Sequence, residues 1–283
     1  MLLPVYETQT GNSEMSLPLC ETATILVQSR VEVREPSSAC VVHIAEMVLV
    51  APRIARSVKP GQFVHVALPE GGTHLLRRPL SVYKTSTEAG TITLLFQVVG
   101  EGTRLLYELA EGTELSLIGP LGQGWKHAEA QSCLIVGGGV GAAPLFLLAQ
   151  ELVAQGAHIE MVLGAATDDL LVCEHSFTEL LGKERVYITT DDGSRGLKGF
   201  ATDAVSELLK VASFDYLAAC GPEPMLRKAV ELAGRSGIAC EVSLERRMAC
   251  GIGACLSCAV DTVTGKKRAC ADGPVFKGKE VCW

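Results

Sequence analysis

The sequence predicts an α/β plus all-β protein: an antiparallel β-barrel, then a doubly wound parallel-sheet domain, then a small cysteine-rich segment at the C-terminus. Three observations carry that expectation. Short apolar and β-branched runs, separated by turn formers, crowd residues 23–118 with little helical spacing between them, as in small antiparallel barrels. At Ser132 the pattern changes to an apolar strand, a glycine turn and apolar residues at helical spacing, and that alternation repeats. The chain closes on Cys250, Cys255, Cys258 and Cys270 in a stretch rich in glycine and alanine. The expected boundaries are an N-terminal tail at 1–22, the barrel at 23–126, the α/β domain at 127–244 and the cysteine segment at 245–283.

Bulk properties narrow the function. The 283 residues fit about two domains. At 48% apolar residues the chain supplies a sizeable core, which excludes global disorder. A net charge of −7 argues against nucleic acid as a partner. Outside the C-terminal four, the cysteines (Cys20, Cys40, Cys133, Cys173, Cys220, Cys240 and Cys282) are scattered, which fits reduced thiols in a cytoplasm better than a disulfide framework. Met1-Leu2-Leu3-Pro4 lacks the basic region and apolar core of a signal peptide. The uncharged run Ala130 to Gln150 is long enough to span a bilayer, but Gly137, Gly138, Gly139, Gly141 and Pro144 divide it into strand, turn and helix. No membrane span is expected.

In chain order, the polar tail shows no periodicity. Thr24–Val27, Gln62–Val66 and Thr91–Phe96 read as barrel strands, with Pro60-Gly61, Gly71-Gly72 and Ala89-Gly90 as turns. Between the last two strands lies Arg77-Arg78-Pro79-Leu80-Ser81-Val82. An arginine can clamp a pyrophosphate in bidentate fashion, and a serine hydroxyl can meet a flavin ring. The plain alternative is a solvated basic pair before an edge strand. Gly100-Glu101-Gly102-Thr103 opens a helical stretch and offers a second phosphate-ready helix start. Gly119–Trp125 closes the barrel.

Cys133–Val136 reads as a buried strand, and Ala142, Leu145, Leu148, Ala149 and Leu152 as a helix face. Between them, Gly137-Gly138-Gly139-Val140-Gly141-Ala142 fits G-x-G-x-x-A, which lets the backbone approach a pyrophosphate at a helix N-terminus. Glycines also serve strand–helix packing alone. Strands are expected at Ile159–Leu163, Val186–Thr189 and Tyr216–Ala219, and a helix at Glu223–Ala233. The acid that holds an adenosine ribose is expected at the end of the second strand; that strand ends near Leu163-Gly164-Ala165 and Asp168 and Asp169 lie just beyond it, a departure from the pattern. No Arg or Lys occurs between Ala157 and Gly182 to meet a 2′-phosphate, which favours NADH over NADPH.

The cysteine spacing C-x4-C-x2-C, with a fourth cysteine further on, matches a plant-type [2Fe-2S] pattern. Zinc is the competing reading. It usually takes two C-x2-C pairs or Cys with His, and here only Cys255 and Cys258 form such a pair. A nicotinamide delivers two electrons at once and a cluster accepts one, so a flavin is needed between them. The barrel is its expected seat.

The order Arg-Pro-Leu-Ser, Gly-Glu-Gly-Thr, Gly-Pro-Leu-Gly, Gly-Gly-Gly-Val-Gly, Cys-Gly-Pro and the cysteine set resembles the ferredoxin–NADP reductase superfamily. Within it, the chain is most similar to the electron transfer subunits of B-type dihydroorotate dehydrogenases, over about residues 23–275. The resemblance implies FAD on Arg78, Pro79, Leu80, Ser81, Leu95, Phe96, Gln97, Gly102 and Thr103. It implies NAD on Gly137, Gly138, Gly139 and Gly141 and near Cys220, Gly221 and Pro222, and a [2Fe-2S] cluster on Cys250, Cys255, Cys258 and Cys270. It implies a diaphorase-type oxidoreductase subunit that passes electrons from the FMN of a dihydroorotate dehydrogenase catalytic subunit through the cluster and FAD to NAD+, in pyrimidine biosynthesis, as a heterotetramer with two of each subunit. The eleven-residue gap before Cys270 is short for that family, which bears on the hairpin near Thr264-Gly265-Lys266. No residues are assigned acid–base catalysis. Related flavin subunits of hydrogenase, sulfide dehydrogenase or ferredoxin–NAD(P) oxidoreductase complexes are the alternative. An iron–sulfur redox sensor or docking protein is the alternative of another class.

Overall fold

The computed structural model describes residues 18–34, 41–68, 75–126 and 130–283. Most of the expected tail, the Gly71-Gly72 turn and Cys40 lie outside the described residues. Six strands close an antiparallel barrel: β1 (Leu19–Arg34), β2 (Val41–Val50), β3 (Phe63–Val66), β4 (Arg78–Ser86), β5 (Thr91–Gln97) and β6 (Glu114–Leu121), in the order β1-β2-β5-β4-β3-β6. Alternate residues point inward, as the two-residue period of a strand requires. Ala23, Ile25, Met47, Leu49, Val64, Val82, Leu94 and Leu117 fill the interior. Helix α1 (Pro52–Ser57) and helix α2 (Glu101–Glu108) plug it with Ile54 and Leu106.

The barrel begins earlier than the sequence indicates. Leu19–Thr22, expected in the tail, pair with Gly119–Ser116 of β6. The reason is partly electrostatic. The buried Glu21 carboxylate accepts the N–H groups of Arg53 (3.0 Å) and Ile54 (2.9 Å), satisfying the open N-terminus of α1 from a distant strand.

A seven-stranded sheet follows, built from β7 (Ser132–Gly138), β8 (His158–Ala165), β9 (Val186–Thr190), β10 (Leu197–Lys198), β11 (Tyr216–Cys220) and β12 (Ala239–Ser243), and completed by a strand from the cysteine segment. That segment contains the hairpin β13 (Ala259–Thr262) and β14 (Gly265–Arg268), then β15 (Val275–Lys277). Sheet order is β10-β9-β8-β7-β11-β12-β15, parallel except for the antiparallel β12–β15 pair. Helices α3 (Ala143–Ala154), α4 (Glu174–Leu181), α5 (Ala201–Val211) and α6 (Glu223–Arg235) cover the sheet. The run 130–150 is thus strand, turn and helix, and among the described residues no helix is long and apolar enough to cross a membrane. The cysteine segment shares its last strand with the nucleotide sheet, and the backbone N–H of Leu244 donates to the carbonyl of Pro274 (2.9 Å). The hairpin forms across the short gap, turning between Thr262 and Gly265.

Candidate functional site

The first group of residues lies on one outer face of the barrel. Residues directly opposite in an antiparallel pair share a face. Ser81 faces Phe63 and Pro79 faces His65 across β3–β4, so all four point the same way, while Leu80 opposite Val64 packs against the barrel interior. The two arginines separate in role. Arg77 is tied to the barrel, donating to the carbonyl of Ser116 (2.6 Å) and to its Oγ (2.9 Å). Arg78 donates to the carbonyl of Leu76 (2.6 Å), and its guanidinium occupies the space where Gly102 lacks a side chain. The structure therefore joins Arg78 to the α2 N-terminus. Thr103 Oγ1 orders that turn by accepting the N–H groups of Val99 (3.0 Å) and Gly100 (3.2 Å). Of the β5 residues, Phe96 buries its side chain in the barrel core and offers only its backbone outside. Leu95 packs toward the nucleotide domain, and Gln97 lines the cleft described next.

β7 and β11 are adjacent, and the order of the sheet reverses between them: β8, β9 and β10 lie to one side and β12 to the other. A crevice at the carboxyl ends of strands is expected at such a reversal. There the glycine turn after β7 meets Cys220-Gly221-Pro222 after β11, with Cys220 opposite Gly137. A methyl group at Gly141 would lie 2.7 Å from both the Cys220 carbonyl oxygen and Gly221 Cα, so only glycine permits the approach. Gly139 takes φ +53 in open space. A cavity of about 950 Å³ opens here, lined by Gly138–Gly141, Gly221 and Pro222 and, from the barrel, by Ile44 and Gln97. Cys220 is not part of that lining. It is buried in the core beneath, and burial pushes its thiol up to about 12, so it stays neutral.

Sequence reasoning missed several lining residues. Asp191, just past β9, and Glu245 both enter the cavity wall, and burial raises both carboxyls. Arg246 beside them pairs with Glu223 at 3.4 Å. Asp168 does not stand alone. Arg195, from the β9–β10 turn, reaches it at 3.1 Å and Glu174 at 2.6 Å. A cation thus approaches the second strand from a distant segment, with two carboxylates holding it.

The cysteine loop is the third group. Gly253 N–H donates to Cys270 Sγ (3.1 Å), Cys255 N–H to Cys250 Sγ (3.4 Å) and Cys270 N–H to Cys258 Sγ (3.4 Å). Burial alone would raise the Cys250 thiol, but N–H groups of Cys255, Ile252 and Ala254 outweigh it and bring it down to about 6. Burial and the adjoining Cys258 push Cys270 up to about 12, a proton that a bound metal displaces. Backbone N–H groups of the loop thus turn to three of the four sulfurs. Among the described residues no three His, Cys, Asp or Glu side chains gather as they would round a single ion. Four cysteine sulfurs with loop N–H groups aimed at them are the donor set an iron–sulfur cluster takes. Arg268 braces the loop, donating to Asp272 (2.9 and 3.0 Å) and to the carbonyl of Gly253 (3.1 Å).

Comparison with known proteins agrees with this geometry. Residues 245–282 match the iron–sulfur cluster binding domain of dihydroorotate dehydrogenase B, and residues 135–231 match an oxidoreductase NAD-binding domain. The dihydroorotate dehydrogenase B (NAD(+)) electron transfer subunit of Geobacillus sp. (strain WCH70) is 41% identical over 245 residues, covering 84% of this chain and 93% of that protein. The same subunit of Desulforamulus reducens is 39% identical over 238 residues, covering 82% and 90%. Among solved structures, a chain of an NADH-dependent reduced ferredoxin–NADP oxidoreductase superposes with TM-score 0.80 at 34% identity, covering 96% of this chain and 92% of that one. A ferredoxin–NADP+ reductase from Neisseria gonorrhoeae, with TM-score 0.59 and 16% identity over 77% of this chain and 92% of that one, shares the fold. With close to two-fifths identity along most of its length and both domain matches in register with the sites described, the chain belongs to the family of dihydroorotate dehydrogenase B electron transfer subunits.

Proposed function

We propose that this chain is the NAD-facing half of a dihydroorotate-oxidising complex of pyrimidine biosynthesis. Electrons from the FMN of a catalytic partner subunit enter at the cysteine loop, cross the barrel face and leave on NAD+. One observation carries this reading: the three sites adjoin one after another in space. The cysteine loop touches the β3 face at His65, that face bears Pro79 and Ser81, and Gln97 and Ile44 of the same barrel line the cleft at the glycine turn. FAD, when bound, exchanges electron pairs with the nicotinamide and single electrons with the iron–sulfur centre. Arg78 and the α2 N-terminus hold its pyrophosphate, and Ser81 meets its ring. The backbone of the glycine turn and the N-terminus of α3 bind the dinucleotide phosphates. Cys250, Cys255, Cys258 and Cys270 would ligate the cluster. None of the described cysteines is joined in a disulfide, in keeping with a reducing cytoplasm.

The test is direct. Purified protein shows flavin and iron–sulfur absorbance that NADH bleaches, and it copurifies with a subunit that confers dihydroorotate-dependent NAD+ reduction. The TM-score of 0.80 to a reduced ferredoxin–NADP oxidoreductase supports one alternative, a ferredoxin-linked complex. In that case ferredoxin, and not dihydroorotate, supplies the electrons.

Two further outcomes are expected. Arg78→Ala removes the charge beside Gly102, and loss of a charge-assisted contact worth about 1.5–3 kcal/mol weakens FAD binding roughly tenfold to a hundredfold. The flavin-to-iron ratio of purified protein reads this, with iron unchanged. Asp168→Asn with Glu174→Gln releases Arg195. The NADPH-to-NADH ratio of kcat/KM then rises about tenfold, the worth of one added phosphate contact.

A further inference from the structure

His65 so far marks only where the cysteine loop meets β3, and its surroundings are unusual. It sits in the middle of β3, is 0% exposed, and neither ring nitrogen has a hydrogen-bond partner. Burial, helped by the Arg77 charge, lowers its pKa to about 4, so the ring is neutral and carries one N–H donor and one acceptor. A buried polar group without a partner is costly, and a leucine would fill the same space without that cost. The ring lies against the cysteine loop. A methyl group placed at Gly251 would lie 2.6 Å from His65 Nδ1, and Gly251 follows Cys250 directly in the chain. On the same side of β3, Phe63 meets the His65 ring edge-on at 5.9 Å between centroids and packs in the core that contains Cys258 and Cys270. Across the strand pair, His65 stands opposite Pro79. The imidazole thus stands on the face that carries the flavin segment, against the loop that carries Cys250, Cys255 and Cys258.

Sulfur is the acceptor chemistry that this place supplies. The loop's own N–H groups already turn toward Cys250 and Cys270, and donors to cluster sulfurs govern a cluster's potential. We propose that His65 donates a ring N–H to a sulfur of the iron–sulfur centre, on the Cys250 side, and thereby raises the centre's reduction potential. The inference rests on the iron–sulfur reading above and adds a tuning residue to it. A donor stabilises the reduced, more negative centre over the oxidised one, so its removal makes the centre harder to reduce.

The experiment uses the purified full-length protein with its cofactors, titrated by EPR for the cluster and by absorbance for the flavin. His65→Leu lowers the cluster midpoint by about 59 mV, a tenfold change in the ratio of reduced to oxidised centre for one electron, and leaves the flavin midpoint in place. His65→Gln, which keeps an N–H donor, recovers at least half of the shift. Wild-type protein labelled with 15N at histidine alone gives a nitrogen coupling in the HYSCORE spectrum of the reduced cluster, and this coupling is absent in His65→Gln. An unchanged cluster midpoint in His65→Leu overturns the proposal, as does a shift confined to the flavin. If His65→Leu fails to retain iron, the labelled wild-type spectrum decides alone, and a missing coupling overturns the proposal. Protein without iron defeats the functional reading itself, a result distinct from iron-loaded protein whose midpoint ignores His65.

Discussion

Cys255→Ser protein is expected to lose its iron–sulfur absorbance and EPR signal while keeping its flavin and its NADH-dependent dye reduction. Cys255 is exposed, so the substitution disturbs little packing and the loss falls on ligation. A serine hydroxyl stays protonated near neutral pH and is a hard donor where iron–sulfur chemistry takes thiolate. Disturbing residues behind a metal ligand typically costs 10–100-fold in affinity, so removing a ligand costs more than about 100-fold. Dihydroorotate-dependent NAD+ reduction by the assembled complex falls at least as far. The dye assay is the internal control, because hydride transfer from NADH to flavin does not pass through the loop. A variant that loses iron and still drives the full reaction would remove the loop from the electron path. Metal analysis of the wild type belongs to the same experiment, since zinc in place of iron would contradict the iron–sulfur assignment.

The second large effect is expected from Gly141→Ala. The added methyl would meet two backbone atoms, the Cys220 carbonyl oxygen and Gly221 Cα, each at 2.7 Å. Backbone does not swing aside as a side-chain tip does, so the glycine turn and the β11 end must separate. Overpacking of this kind costs about 1–3 kcal/mol, which corresponds to roughly a tenfold to hundredfold rise in KM for NADH if the strain is released in the nucleotide site. Flavin and iron contents stay at wild-type levels, because the atoms the methyl meets belong to Cys220 and Gly221 and not to Arg78 or the cysteine loop. Steady-state kinetics with NADH and an artificial acceptor measures it. Unaltered kinetics would mean that the phosphates bind elsewhere in the 950 Å³ cleft.

These sites were unequally legible in the sequence, and locality explains the difference. Cys250, Cys255 and Cys258 lie within one loop, so their spacing is itself the geometry. The same holds for Gly137–Gly141, where strand, turn and helix are contiguous. Arg78 and Gly102 are separated in the chain by β5, and only barrel closure brings the guanidinium over the glycine. Asp191, Glu245 and Arg195 left no local sign. Asp191 reaches the cleft because it follows a neighbouring parallel strand, and Arg195 reaches Asp168 across a turn of the sheet. A reading confined to the segment after β8 finds no cation there. The early start of β1 was hidden because Glu21, Thr22 and Thr24 break up its apolar residues, and the use of Glu21 as a remote helix cap becomes visible only with α1 in place. His65 reads in sequence as a polar residue inside an apolar strand. The loop that covers it, almost two hundred residues later, gives it a context.

The antiparallel strand β15 gives the molecule an economy of another kind. By zipping onto β12, it makes the cluster-bearing tail the selvedge of the nucleotide sheet. Cutting the chain before this tail would therefore not yield a simpler reductase stripped of its iron. It would leave β12 with a raw border of unmatched amides, open to stitching onto other copies. Evolution could then discard the metal only by rebuilding that hem, so the one-electron device and the nicotinamide scaffold are inherited as a single garment.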